Sequence, residues 1–376
     1  MTSWALLIIG AMLFVAYANG ANDNFKGVAT LFGSGTADYH KALWWATLTT
    51  VAGSVTAFFL ATPLISMFQG EGLVPAYLAQ SQPFVAAVIA GAALTVWIAT
   101  KIGIPISTTH SLTGALFGGG FVAVGLQLGF HTLLSSFFLP LVISPLLAVL
   151  MAAFGYPLLS RAVKSMGLTR GNCVCIGSEV VAAAVAPHVF AMSQSPAALR
   201  VLIDSEAACV GRLSGSLLGV KGQKLVDIGH FLSAGAVSFA RGLNDTPKLV
   251  GLGLLASTVD LVFSIALVAS AMALGGLVNA REVAQTISKR ITAMDPDQGF
   301  AANLTTSFLV IAASKWGLPV STTHVSCGVV FGIGIASGQA RWNVIRTILM
   351  AWLLTLPMAA LSAGLIYAIL SRVAVH

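Results

Sequence analysis

The chain has 376 residues, of which 57% are hydrophobic and only 8% are charged, and its formal net charge is +7. An ordinary soluble domain carries roughly 25% charged residues, so this composition excludes a water-soluble globular protein and indicates an integral membrane protein. The lysines and arginines lie in loops between apolar runs, so the positive charge does not indicate nucleic acid as a partner. We expect a multi-pass protein of the inner (plasma) membrane that is surrounded by the lipid bilayer.

Apolar runs long enough to cross a hydrocarbon core of about 30 Å recur along the whole chain. The first run, residues 4–18, has the length of a signal sequence. It lacks a basic flank and a small-residue cleavage site, so we predict that it is a first helix. The later runs lie at residues 43–65, 84–99, 133–154, 250–274 and 348–370.

An internal repeat divides the chain into two halves. The segment YANGANDNFKGV, which starts at Tyr17, returns as FARGLNDTPKLV from Phe239. The segment ATKIGIPISTTHSLTGALFG from Ala99 returns as ASKWGLPVSTTHVSCGVVFG from Ala313. Such recurrence predicts two copies of one architecture. Repeats interrupted by polar elements with Gly and Pro are typical of secondary transporters, whose binding sites lie where broken helices meet.

The repeat predicts an all-α integral membrane protein with two inverted repeats, broken helices, re-entrant hairpins and about 10–12 membrane helical segments. We assign residues 1–159 to the first transmembrane repeat and residues 228–376 to the second. Residues 160–227 fall outside the repeat and are rich in Lys and Arg, so the positive-inside tendency places them in the cytoplasm as a loop or insert. The sequence leaves the structure of this insert open.

The two Pro-x-Ser-Thr-Thr-His elements predict a site for a small oxyanion. Pro105 disfavours helix at the residue before it, so a helix can start here with hydroxyl residues in its first turn. A helix N-terminus offers unpaired N–H donors and about half a positive charge, which suits an oxyanion. The alternative is that these hydroxyls bond only to the preceding turn or to neighbouring helices. The hydroxyl residues concerned are Ser107, Thr108, Thr109, Ser321, Thr322 and Thr323.

The Asn-Asp-x-x-Lys elements place ionised residues in apolar surroundings, which costs about 2.5–3.5 kcal/mol at the centre of a membrane helix. Asp23 and Lys26 stand three residues apart, and Asp245 and Lys248 repeat the arrangement. Two interpretations stay open. The pairs either neutralise each other and hold broken helices together, or the lysines present positive charge to an anion while the aspartates hold the lysines or couple an ion.

At these residues the sequence resembles the inorganic phosphate transporter family, whose halves carry a Gly-Ala-Asn-Asp-Val-Ala-Asn type signature and a Pro-x-Ser-Thr-Thr-His element. The resemblance covers most of the chain outside the insert. It implies an inverted-repeat transporter that moves phosphate, or sulfate in some members, together with sodium or protons. It also places the hydroxyl residues above on substrate-contacting elements. The residues that it places on binding and coupling positions are Asn22, Asp23, Asn244 and Asp245.

The sequence departs from that signature three residues after each aspartate, where Lys26 and Lys248 stand in place of asparagine. An amide oxygen can ligate sodium, whereas an ammonium has no acceptor and acts as a fixed cation. Our hypothesis is that these lysines replace bound sodium ions, so that transport is sodium-independent and either proton-coupled or uncoupled. Leu243 and Pro247 are further departures in the second half.

The leading hypothesis is a secondary active transporter (permease) for inorganic phosphate, with a sulfate permease as the alternative and an anion channel as a weaker one. Sulfate only accepts hydrogen bonds, whereas phosphate also donates them. The site therefore favours sulfate if the lysines occupy both aspartates. The predicted substrate-binding residues are Lys26, Lys248, Ser107, Thr108, Thr109, Ser321, Thr322 and Thr323. The predicted ion-coupling residues are Asn22, Asp23, Asn244, Asp245, His110 and His324, where each histidine is either a proton-handling group or a hydrogen-bonding strut.

The sequence indicates a transporter rather than an enzyme. It has no Gly-x-Ser-x-Gly elbow, no acidic residue to orient a histidine and no Walker motif, so we expect no catalytic residues. We expect no cofactor and no metal, because the spacing Cys173-x-Cys175 does not suit a zinc knuckle. The expected partners are phosphate or sulfate, protons and lipid; a homodimer is the assembly we consider, and nucleic acid is not expected.

Overall fold

The structure is a computed structural model that describes residues 3–165, 172–179, 199–205, 213–254, 260–288 and 294–373. The apolar stretch at residues 180–189 and Cys209, both in the predicted insert, lie outside the described residues.

The first half of the chain is helical. Its α-helices are α1 (Ser3–Asp23), α2 (Ala29–Gly33), α3 (Tyr39–Leu60), α4 (Thr62–Phe68), α5 (Ala76–Ala79), α6 (Gln82–Lys101), α7 (Thr108–Val124), α8 (Phe130–Thr132) and α9 (Leu139–Ser165). Two 3-10 helices (Asn24–Val28 and Gly125–Gln127) and one π-helix (Leu133–Phe138) complete it.

A small sheet precedes the second set of helices. Its strands are β1 (Asn172–Glu179), β2 (Leu199–Ser205) and β3 (Leu213–Lys221), in the order β2-β1-β3 with both pairs antiparallel. The sequence left this region open, so the sheet is a finding of the structure. The helices that follow are α10 (Gly222–Leu254), α11 (Leu261–Asn279), α12 (Arg281–Thr286), α13 (Pro296–Lys315), α14 (Thr322–Ala336) and α15 (Trp342–Val373).

Helices of the first half pack against helices of the second half. Helix α1 packs against α11 of the second half, and its counterpart α10 packs against α3 of the first. Likewise α7 packs against α15, and α14 packs against α9. Within each half, α1 contacts α6 and α10 contacts α13. The halves therefore share one structural plan and are intertwined, whereas their opposite orientation in the membrane stays a prediction.

Seven of the described helical segments are long and apolar enough to cross a membrane. The first of them in chain order is the segment Ser3–Gly33. Three further helices, α10, α13 and α14, pack among them as counterparts of α1, α6 and α7. Much of the polar character of α10 and α13 lies on buried side chains such as Arg241, Asp245 and Asn303. This fits a helical membrane protein whose polar residues face its interior.

The helix that carries the Asn-Asp-x-x-Lys element differs between the halves. In the first half α1 ends at the aspartate and a 3-10 helix follows, which is the broken helix that the sequence predicted. In the second half α10 runs unbroken through the same element and through Pro247. Helix propensity does not explain the difference, because the unbroken helix contains Pro247, which disfavours a helix more than Gly27 does.

Glycines set the close approach of the intertwined helices. A methyl group on Gly118 of α7 would meet the backbone of Ala360 in α15, and one on Gly332 of α14 would meet the backbone of Val149 in α9. Small residues at such crossings allow backbones to touch in membrane proteins, where packing rather than hydrophobicity drives helix association.

Replacing Gly118 with alanine is expected to lower the stability of the protein by about 1–3 kcal/mol, because the added methyl forces α7 and α15 apart. The matched control is Gly10→Ala, since a methyl at Gly10 has no neighbour within 4 Å in the part of the chain that the structure describes. Thermal unfolding of the detergent-solubilised proteins measures the difference. Equal unfolding temperatures for the two variants would show that this crossing does not need glycine.

Candidate functional site

The two Pro-x-Ser-Thr-Thr-His elements start helices, as the sequence predicts. Ser107 precedes α7, and its Oγ accepts a hydrogen bond from the backbone N–H of His110 at 3.1 Å. Ser321 precedes α14 in the same way, with the N–H of His324 at 3.2 Å. The seryl oxygens therefore satisfy one first-turn donor each, and the first-turn hydroxyls of both helices are buried in the protein interior.

Lys26 is buried, and the hydrogen-bond partners of its ammonium group are oxygen atoms. Its relative exposure is 9%, and its ammonium group forms an ion pair with Asp23. It also donates to the carbonyl oxygen of Ile106 at 2.6 Å and to Oγ1 of Thr323 at 2.7 Å. Since an ammonium has three N–H donors, these three oxygens use all of them.

Lys248 has the same arrangement of partners, with a carbonyl from the second half and a threonine from the first half. Its Nζ lies 3.5 Å from Oδ1 of Asp245, and it donates at 2.7 Å to both Oγ1 of Thr109 and the carbonyl oxygen of Val320. Thr109 in turn donates to the carbonyl of Val320 at 3.2 Å. Each lysine therefore joins the proline loop of its own half to a threonine of the other half.

The two aspartates lie close together because one amide bridges them. Nδ2 of Asn19 lies 3.2 Å from an oxygen of Asp23 and 3.2 Å from an oxygen of Asp245. It also lies 3.0 Å from Oγ1 of Thr108, which donates to Asp23 at 3.3 Å. Asn19 was not among the predicted site residues, although it begins the polar run that contains Asp23.

The asparagines of the signature hold the proline loops. Nδ2 of Asn22 donates to the carbonyl of Ile104 at 3.1 Å, and its Oδ1 accepts the N–H of Ile106 at 3.2 Å. Asn244 donates to the carbonyl of Val320 at 3.2 Å. The asparagines thus fix the loops that present the helix starts, while the coupling role expected for them stays a prediction.

The two histidines lie behind the helix starts, and their rings are in contact at a tilt of 48°. The ring centroids of His110 and His324 are 4.1 Å apart, and His324 stacks on Trp352 of α15 at 3.7 Å. Nδ1 of His110 lies 3.0 Å from Oγ of Ser107. This geometry brings both histidines to one place between the halves, and it fits a strut as well as a proton-handling pair.

A third cation lies in the same region and was missed by the sequence analysis. Arg241 of α10 has a relative exposure of 1%, and its charge interacts with those of Asp23 and Asp245. Its nearest acceptors are Oδ1 of Asn24 and Oγ1 of Thr50, each at the long distance of 3.4 Å from Nη2. The repeat alignment contained the signal, because Arg241 stands where the first half has a neutral asparagine.

The predicted site residues therefore converge, with hydroxyls from both helix starts and both Asp-Lys pairs in one buried cluster. A cavity, here called the vestibule, reaches this cluster from one side and borders Lys26 and Thr323, but not Lys248. Its other polar lining residues are Thr30, Ser288, Asn303, Thr306, Ser326 and Cys327. The cluster and the vestibule together form a buried polar site with a cationic end, which suits an anion.

Comparison with known proteins agrees with this chemistry. The sequence model of the phosphate transporter family matches residues 19–363. A putative phosphate permease of Pyrococcus abyssi is 28% identical over 408 residues and covers 98% of each chain. The chloroplastic inorganic phosphate transporter 2-1 of Arabidopsis thaliana is 28% identical over 96% of this chain and 70% of its own.

A solved structure has the same fold. The protein called the sodium-dependent phosphate transporter superposes with a TM-score of 0.75 and 22% identity over 99% of this chain and 100% of its own. The matched family consists of transporters rather than enzymes, in agreement with the prediction that this chain is not an enzyme. Since the family match covers most of the chain, including both halves of the repeat, the chain belongs to the phosphate transporter family.

Proposed function

We propose that the chain is a secondary active transporter that carries inorganic phosphate across the inner (plasma) membrane without sodium. Membership in the phosphate transporter family and the names of its relatives support phosphate as the substrate. The buried cluster supplies the hydroxyls, helix starts and cations that recognise an oxyanion.

The surroundings of the two lysines carry the proposal of sodium independence. Each ammonium group contacts a carboxylate oxygen, a backbone carbonyl oxygen and a threonine hydroxyl. Such oxygens are the ligands that hard metal cations take in proteins. A lysine in this position supplies the positive charge permanently, so that no ion has to bind to neutralise Asp23 or Asp245.

The lysines then act as fixed counter-cations of the site, and their donors are used by protein oxygens. Substrate contact by these lysines, as the sequence predicted, requires that an anion displace one of those oxygens during transport. The vestibule makes this easier at Lys26, which it borders, than at Lys248. Protons are the coupling ion that remains, and His110 and His324 are the groups we propose to handle them.

Sulfate is the second candidate substrate, and one observation favours it. Both aspartates, the strong acceptors of the site, are already engaged, Asp23 by Lys26 and Asp245 by Lys248. Phosphate, which can also donate hydrogen bonds, therefore gains little binding free energy over sulfate, which only accepts them.

The deciding experiment is uptake of labelled phosphate and labelled sulfate into vesicles that contain the purified protein. Sodium and pH gradients are imposed separately. We expect phosphate uptake that is unchanged when choline replaces sodium, and that responds to a pH gradient if protons are coupled. Inhibition of phosphate uptake by unlabelled sulfate, and the reverse, ranks the two anions. Uptake that disappears without sodium would contradict the proposal.

Blocking the vestibule is expected to stop transport without unfolding the protein. Ser326 of α14 lines the vestibule and is half-buried, so Ser326→Trp places an indole in the path to Lys26. We expect uptake to fall by at least about tenfold, since binding sites of this class are reached through such cavities. Ile335→Trp on the same helix is the control, because Ile335 is exposed. Equal uptake by the two variants would show that substrate takes another route.

A further inference from the structure

The central cluster has an excess of positive charge. Three buried cations, Lys26, Lys248 and Arg241, face two buried carboxylates, Asp23 and Asp245. Each lysine is paired with the aspartate three residues before it. In the described part of the chain Arg241 has no carboxylate at ion-pairing distance, so one positive charge is left over.

The guanidinium of Arg241 also has unused donors. Its two hydrogen bonds, both 3.4 Å long, come from Nη2, whereas Nε and Nη1 have no partner among the described residues. An arginine does not lose its proton in proteins, so burial cannot neutralise it. A buried charge without partners is strongly unfavourable, which indicates that a ligand satisfies these groups during the transport cycle.

Asn19 provides the complementary group. It is the counterpart of Arg241 in the repeat, and its Nδ2 contacts both aspartates. Asp245, one of these, follows Arg241 by one turn of α10. The other atom of the amide, Oδ1, is buried and has no hydrogen-bond partner among the described residues. At equivalent positions of the two halves, Arg241 therefore has unused cationic donors and Asn19 has an unused acceptor, and both side chains interact with Asp23 and Asp245.

We infer that Arg241 and Asn19 are substrate-binding residues that select a protonated tetrahedral oxyanion. The guanidinium donates to oxyanion oxygens, and the amide oxygen of Asn19 accepts a hydrogen bond from an acidic O–H group. Protonated phosphate offers both kinds of atom, whereas sulfate offers only acceptors. One negative charge on the anion also balances the excess charge of the cluster. The inference rests on the proposed function and names the side chains that choose between its two candidate anions.

Ligand-induced thermal stabilisation of the purified full-length protein tests the role of Arg241. The probes are inorganic phosphate and sulfate, the variants are Arg241→Gln and Arg241→Lys, and the control is Arg346→Gln at an exposed position of α15. We expect Arg241→Gln to weaken phosphate binding by roughly tenfold to a hundredfold, the range for a charge-assisted hydrogen bond. Arg241→Lys should lose less, because it keeps the charge but not the planar fork.

The stability of the ligand-free protein separates recognition from a structural role. If the charge of Arg241 serves the ligand, Arg241→Gln leaves the unfolding temperature of the ligand-free protein unchanged or raises it. A lowered unfolding temperature with unchanged phosphate affinity would overturn the inference and show that Arg241 only holds α10 against α3.

The role of Asn19 is tested by the ratio of phosphate affinity to sulfate affinity. This ratio does not depend on the amount of folded protein. In Asn19→Ala we expect the ratio of phosphate affinity to sulfate affinity to fall by about tenfold, because the acceptor for the O–H group is gone. An unchanged ratio would overturn the assignment of Asn19. If the unmodified protein neither binds nor transports either anion, the proposed function itself fails, which is distinct from both results.

Discussion

Replacing Lys26 or Lys248 with asparagine is expected to make the protein respond to sodium. Removing one ammonium leaves a buried carboxylate unpaired, which costs roughly 3–5 kcal/mol. It also leaves the three oxygens that surrounded the ammonium, and the asparagine adds an amide oxygen. Sodium bound there would recover part of the lost stability by mass action.

Thermal unfolding of Lys26→Asn in sodium chloride and in choline chloride measures this response, and uptake under the same conditions shows whether transport follows. We expect the variant to unfold at a higher temperature in sodium, while the unmodified protein unfolds at the same temperature in both salts. Lys101→Asn is the control, since Lys101 lies over the ring of Trp97 at 4.4 Å, away from the aspartates. If all three proteins respond alike, the lysines do not stand in for sodium.

Neutralising Asp23 is expected to destabilise the protein strongly and to stop transport. The carboxylate accepts from Lys26, from Asn19 at 3.2 Å and from Thr108 at 3.3 Å, and all of these groups are buried. In Asp23→Asn the ammonium of Lys26 stays buried without a counter-charge. We expect a loss of roughly 3–5 kcal/mol and the loss of uptake.

A double-mutant cycle isolates the pair. Adding Lys26→Met to Asp23→Asn removes both charges, so the double variant should be more stable than Asp23→Asn alone. Asp38→Asn is the matched control, because Asp38 is exposed and caps α3 by accepting from the N–H of Lys41 at 2.8 Å, and asparagine caps a helix about as well as aspartate. A double variant that is less stable than Asp23→Asn would show that the two charges do not depend on each other.

Local features of the site could be predicted because short stretches of sequence determine them. Proline before Ser-Thr-Thr predicts a helix start, and the structure places N-caps at Ser107 and Ser321. The spacing of three residues predicts the pairing of Asp23 with Lys26, and the ion pair is present. The recurrence of both elements in the same order predicts two equivalent halves, because similar sequences form similar structures.

The sequence did not predict the contacts between the halves. That Lys26 donates to Thr323, nearly three hundred residues away, depends on how α1 and α14 are placed by the other helices. The break in the first Asn-Asp-x-x-Lys helix and its absence from α10 also show that the shared motif does not determine where the helix is interrupted. Similarly, the sheet of the central region has no counterpart in the repeat from which it could be inferred.

Composition, the internal repeat and residue spacing were sufficient to predict that this protein lies in a membrane, that it consists of two related halves, and that Asp-Lys pairs and hydroxyl-bearing helix starts form its polar centre. The packing of the helices was needed to learn which polar atoms are already satisfied and which are left unused. Among the described residues, the lysines have no spare donors, whereas Arg241 and Asn19 have polar atoms without a partner. Hydrogen-bond satisfaction depends on side chains brought together from distant parts of the chain, whereas residue type and spacing determine only what each group is able to donate or accept.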